Sequence, residues 1–125
     1  MTAIQSGERY SAPAGADLSA KRYHIVKLDS SGNVVLASAA TDAILGVLDN
    51  TPKLGQTADV VLLNGVGTFK VKSANSGISK DAYITSDANG QAVATTTSGN
   101  RVIGRAVRTT TANEVVEYIK HNEKY

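Results

Sequence analysis

The stretch Asp59-Val60-Val61-Leu62-Leu63-Asn64-Gly65-Val66-Gly67-Thr68-Phe69-Lys70-Val71-Lys72 carries the clearest strand signal in the chain. Val60 to Leu63 is the longest unbroken run of bulky aliphatics, and Asn64-Gly65 is a dipeptide that turns a chain tightly through positive φ. Beyond it the pattern alternates: Phe69 and Val71 fall on one face, Thr68, Lys70 and Lys72 on the other, as in a strand with one wet side. The spacing predicts a central hairpin over residues 59–72. Phe69, the only Phe, is then the expected anchor of a core shared by whatever lies on either side.

Working outward, the same order of elements occurs twice. Before the hairpin come Tyr23 to Leu28, the turn Asp29-Ser30-Ser31-Gly32-Asn33, Val34 to Ala39, and Ala43 to Leu48. After it come Ala82 to Ser86, the turn Asp87-Ala88-Asn89-Gly90, Gln91 to Thr95, and Arg101 to Val107. Gly32 with Gly90 and Gly46 with Gly104 share one offset of 58 residues (90 less 32, 104 less 46). Asp29 with Asp87 and Val35 with Val93 share it too. Asp59-Val60-Val61 matches Glu114-Val115-Val116 if the second half has lost three residues. This is read as an internal duplication, with halves at about 22–63 and 80–119; recurrence of Asp-x-x-Gly turns by chance is the bland alternative. Glu114 to Lys120 fits an amphipathic helix or a strand, and the duplication favours the strand. His121 to Tyr125 reads as a polar tail. Gly46 and Gly104, at matching places in apolar strands, imply a bulge or a close backbone approach.

The 125 residues make one domain, and Ala, Ser, Thr, Val and Gly dominate over charged and aromatic residues, as suits an all-β protein. Thirteen Lys plus Arg against eleven Asp plus Glu, with no basic run beyond Lys21-Arg22, do not imply nucleic acid. Cysteine is absent, so neither disulfides nor thiolate metal sites hold the fold. No apolar stretch approaches the ~18 residues of a membrane span, and no signal peptide opens the chain, so a soluble protein made in a cytoplasm is expected. Residues 1–17 hold few sizeable apolar groups and the hinge-like Ala12-Pro13-Ala14-Gly15-Ala16. They read as an arm ahead of a single domain at 18–125, or as an untidy terminus without a role.

Candidate chemistry is sparse. Asp29-Ser30-Ser31-Gly32 and Asp87-Ala88-Asn89-Gly90 insert a residue into the Asp-Thr-Gly pattern of paired catalytic aspartates, and suit type I turns instead. The second also resembles part of a calcium loop but lacks the closing acid. His24 and His121 stand without ligand spacing, and Gly65-Val66-Gly67 precedes no helix that could cradle a phosphate. Arg101, Arg105 and Arg108 suit a solvated face or subunit contact. Neither an enzyme, a metal nor a cofactor is expected.

Residues 18–118 resemble the capsid decoration, or cement, proteins of tailed bacteriophages. The resemblance rests on Ile44-Leu45-Gly46-Val47, the Val60 to Val66 hairpin, a loose match at Ser79-Lys80-Asp81-Ala82-Tyr83, and Ile103-Gly104-Arg105-Ala106. It implies a small β-barrel or β-tulip domain on the exterior of the virion, a homotrimer at threefold positions that binds the major capsid protein and cements neighbouring capsomers. It implies also that the arm makes the contact, here at Thr2, Ala3, Ile4, Gln5, Arg9 and Tyr10, while Asn64, Gly65, Phe69, Gly46 and Gly104 serve the fold. A small β ligand-binding module, carbohydrate-binding or adhesin-like, is the alternative, although it would usually show several exposed Trp or Tyr on one face.

Overall fold

A computed structural model describes residue 5 and residues 7–125. Among these, ten strands form two antiparallel five-stranded sheets. The first contains β1 (Arg9–Pro13), β2 (Ile25–Leu28), β3 (Val34–Leu36), β4 (Ile44–Leu48) and β5 (Thr57–Leu62), in the order β1-β5-β4-β2-β3. The second contains β6 (Thr68–Lys72), β7 (Tyr83–Ser86), β8 (Ala92–Ala94), β9 (Arg101–Ala106) and β10 (Val115–Lys124), in the order β6-β10-β9-β7-β8. Each strand of one sheet has its counterpart in the other, in the same place. The fold is all-β, as expected, but the sheets stay open, so the barrel closure does not occur.

The expected hairpin over 59–72 does not form either. Both sides of β5 are taken, by β1 and β4, while β6 pairs with β10. In each sheet the first strand docks beside the last, so the chain must leave the first sheet after β5 in order to open the second. The positive φ in that crossover falls at Gly67 (φ 88), not at Asn64-Gly65. Gly65 matters through space instead, since a Cβ there would lie 2.8 Å from Lys120 Nζ and 3.0 Å from Glu8 Oε1.

Register corrects the assumed three-residue loss. Gly46 pairs with Leu62 and Gly104 with Lys120, so the offset of 58 continues to the end of the repeat and Val61 corresponds to Ile119. The exposed, buried, intermediate, buried order of Thr57 to Val60 recurs at Val115 to Tyr118. β10 also continues to Lys124, so most of the supposed tail is strand.

The two glycines confirm this register. A Cβ at Gly46 would collide with the carbonyl of Val61 and sit 2.9 Å from Val60 Cγ1; at Gly104 it would collide with the carbonyl of Ile119 and sit 2.8 Å from Tyr118 Cδ2. On its other side Gly46 is next to a bulge in the pairing of β4 with β2, where Leu45 is the extra residue between Gly46 opposite Val26 and Ile44 opposite Lys27. The turns repeat as well. Asp29 Oδ1 accepts the N–H groups of Ser31 and Asn33, each at 2.9 Å, and Asp87 Oδ1 those of Asn89 and Gln91 at 2.8 and 2.9 Å.

Two apolar clusters hold the sheets. One lies within the first repeat, around Leu18, Val26, Val34, Leu48, Ala58 and Val60. The larger joins Ile25 and Val47 of the first sheet, with Leu63 just past β5, to Val71, Ile84, Ile103 and Tyr118 of the second. Phe69 is only half-buried at its margin, and the aromatic anchor is Tyr118, the largest fully buried side chain. Burial pushes the Tyr118 phenol far above its ordinary value, and its hydroxyl has no hydrogen-bond partner among the described residues.

Candidate functional site

The expected arm is in part a strand. β1 puts Arg9 to Pro13 antiparallel to β5, with Arg9 opposite Val61 and Pro13 opposite Thr57. It forms the edge of the first sheet, and its exposed and half-buried residues alternate. Pro13 suits such an edge because its missing N–H serves no ladder. Ala14 beyond it is buried, and its N–H donates to Gln56 O at 2.8 Å, so the hinge-like segment is built into the sheet. Thr2, Ala3 and Ile4 lie outside the described residues.

Gln5 has a specific place on this edge. Its amide oxygen accepts the Ser11 N–H at 2.7 Å and its amide nitrogen donates to Ser11 O at 2.9 Å. One backbone pair of an edge strand is therefore answered by a side chain, where a further strand would otherwise add. Glu8 ties the start of β1 to the other sheet through Lys120 Nζ at 3.1 Å, and the Lys120 side chain is 3% exposed.

Arg9 and Tyr10 are held differently from each other. Arg9 reaches Asp49 just past β4 at 2.6 Å, and Arg22 meets the same carboxylate at 3.1 Å, while Tyr10 is half-buried opposite Val60. Asp49 and Arg22 also line a cleft of ≈ 310 Å³ with Tyr23, Phe69, Lys70 and Glu117. The Arg22 guanidinium stands 4.7 Å from the Tyr23 ring centre, and Tyr23 and Phe69 lie 5.9 Å apart at 57°. These two half-buried rings are tilted, so they do not present the flat platform on which a sugar stacks.

The cleft and the β1 edge make one surface, joined by the Arg9 to Asp49 pair. Arginine, tyrosine and phenylalanine, residue types enriched at protein interfaces, stand here among the charges of Asp49, Lys70 and Glu117. Exposed pairs such as Arg9 with Asp49 contribute at most about 1 kcal/mol each, so they orient the surface more than they stabilise it. No nucleophile stands beside a base there. Among the described residues, no group of three or more His, Cys, Asp or Glu could hold a metal. Gln5, Arg9 and Tyr10, named from the sequence as arm contacts, and Phe69, named as the core anchor, lie on this surface with Arg22, Tyr23, Asp49 and Lys70, which sequence reasoning did not single out. The Asp49 position, one residue beyond an apolar strand, was the available signal; the positive φ of Tyr23 (70°) had none.

The β1 edge and the charged aromatic cleft are the main surface features of this two-sheet fold. The sequence matches the phage cement protein family over residues 4–121, and the chain belongs to that family. A search of curated proteins returned no match. Among solved structures, the head fiber gp8.5 N base of bacteriophage phi29 shares the fold with a TM-score of 0.71 at 19% identity, over 94% of this chain and 96% of that one. Family membership makes this a structural phage protein associated with the capsid.

Proposed function

We propose that this chain binds the outer face of the phage capsid, contacts the major capsid protein and cements neighbouring capsomers, assembled as a homotrimer and performing no catalysis. The observation that carries the reading is the edge of β1. An edge strand whose outward pair is answered, among the described residues, by the Gln5 side chain can accept an extended segment of coat protein, with Gln5 swinging aside. Main-chain bonds then supply affinity, and Arg9, Arg22 and the Tyr23 to Phe69 pair supply selectivity. The residues ahead of β1, Thr2, Ala3 and Ile4 among them, extend the same contact.

Co-sedimentation with capsids lacking this protein tests the reading. Wild type is expected to pellet with the particles, whereas Ser11→Pro, which removes the outward N–H, is expected to lose at least ~10-fold in affinity, the worth of about 1.4 kcal/mol. Undiminished binding by that variant would exclude strand addition at β1.

A further inference from the structure

The two sheets are not covered alike. In the first, neighbouring residues of one strand enter different apolar clusters, Ile25 and Val47 the larger one, Val26 and Leu48 the one within the first repeat, so both faces are buried. In the second, one face stays open. Val116 and Tyr118 of β10 lie in the larger cluster, while Val115 and Ile119, which alternate with them, are 42% and 39% exposed. Register assembles the open face. Thr68, Ile119, Arg105 and Tyr83 stand opposite one another across β6, β10, β9 and β7, and the pairs Lys70 with Glu117 and Lys72 with Val115 continue it along β6 and β10.

This face is neither flat nor neutral. A depression of ≈ 260 Å³ opens between Lys70, Arg108, Val115 and Glu117, and another of ≈ 270 Å³ beside Tyr83, Arg105 and Ile119. Lys70 and Glu117 also line the ≈ 310 Å³ cleft that leads round to Asp49, and so to Arg9 of β1. The nearby carboxylates are already taken: Glu117 accepts from Arg108 at 2.9 Å, and Asp81 from Arg105 at 2.9 Å and from Lys80 at 3.1 Å. Beyond Ile119, His121 faces Glu123 at 3.5 Å. Lys70 meets no carboxylate among the described residues, and Lys72 donates to the Asn113 carbonyl, so cations outnumber acids across the face. Apolar exposure gathers here too. Among the described residues the exposed large apolar side chains are Leu54 and Val66, outside the strands, and Tyr83, Val115, Ile119 and Tyr125, with Tyr125 edge-on to Tyr83 at 5.9 Å.

We propose that the open face of the second sheet is a docking surface for an acidic protein partner, one that sets carboxylates against Lys70 and Arg105 and aliphatic side chains against Val115 and Ile119. Which protein this is rests on the reading above: it is the coat protein, and the face adds a charge-selective contact to the β1 edge, continuous with it through the cleft. The exposed aliphatics decide for a protein over a polyanion. A phosphate or sulfate chain would meet the cations and leave Val115 and Ile119 in water, whereas a protein surface removes both from it. The charges then serve encounter and register more than affinity. Glu117, opposite Lys70, repels a carboxylate that arrives out of place, which makes the face selective as well as attractive.

The free protein tests the face without a capsid. A short peptide of alternating Glu and Leu, followed by NMR, is expected to shift the amide signals of Lys70, Glu117 and Ile119. It is expected to bind ~10-fold more weakly to Lys70→Glu, more weakly to Ile119→Ser, and more tightly to Glu117→Gln, which frees Arg108. All three side chains are at least partly exposed, so the fold is kept, as melts would check. No shift on this face, an unchanged affinity in Lys70→Glu, or binding indifferent to Ile119→Ser, the mark of a plain polyanion site, would overturn the proposal. With capsids, Lys70→Glu is expected to leave more protein in the supernatant than wild type does. Equal pelleting of the two would overturn this face as the coat contact, whereas a wild type that does not pellet would sink the capsid reading and leave the peptide result standing by itself.

Discussion

At Gly46 and Gly104 the close approach of the neighbouring strand excludes a side chain. Any side chain would meet the backbone carbonyl of the neighbouring strand, which cannot swing away as a side chain can. Gly46→Ala and Gly104→Ala are each expected to lower stability by about 2–3 kcal/mol, the cost of overpacking, which thermal melts would show as a drop of roughly 6–12 °C. Unchanged melts would contradict the close approach. His24 offers a test by pH. Burial holds its imidazole below the ordinary value, with the charges of Lys21 and Lys72 acting in the same direction. A depressed histidine means that below the unfolded value near ~6.5 the unfolded chain binds more protons, so stability is lost as pH falls through that value toward the folded one. The melting temperature is expected to fall between about pH 7 and about pH 5, and His24→Gln is expected to flatten that fall; an equally steep variant would contradict the assignment. The two glycines were legible because their spacing recurs in apolar surroundings. Phe69 was misplaced because hydrophobicity alone cannot tell a residue on an edge strand from one on an inner strand: β6 lies at an edge, while Tyr118 sits on β10 between β6 and β9.

At the scale of elements, alternation and Asp-x-x-Gly turns made β2, β3, β4, β7, β8 and β9 legible, since both signals are local. Strand pairing is not local. Nothing between Val60 and Lys72 reveals that β5 is already flanked on both sides, so a run, a turn and a second run read as a hairpin. The same limit hid β1: Arg9 to Pro13 is polar and contains a proline, and only the vacant side of β5 makes a strand of it. β1 therefore serves both as the fold's edge and as the proposed binding element, and Ser11→Pro separates the two roles. The Ser11 N–H points to Gln5 and not to β5, so melts of this variant should stay within about 1 kcal/mol of wild type while capsid binding falls. A variant that unfolds would show that the edge N–H belongs to the sheet after all.

For the whole molecule, the larger apolar cluster joins the two repeats, and the β1 edge with its charged cleft is left at the surface. Such an edge suits a protein that meets a shell. Electron cryomicroscopy of particles with and without the protein tests whether this surface lies against the outside of the capsid, as proposed. Added density is expected on the exterior, spanning neighbouring capsomers, with the β1 edge facing the coat protein. Density confined to the interior or the tail, or exterior density with the β1 edge turned to solvent, would contradict it.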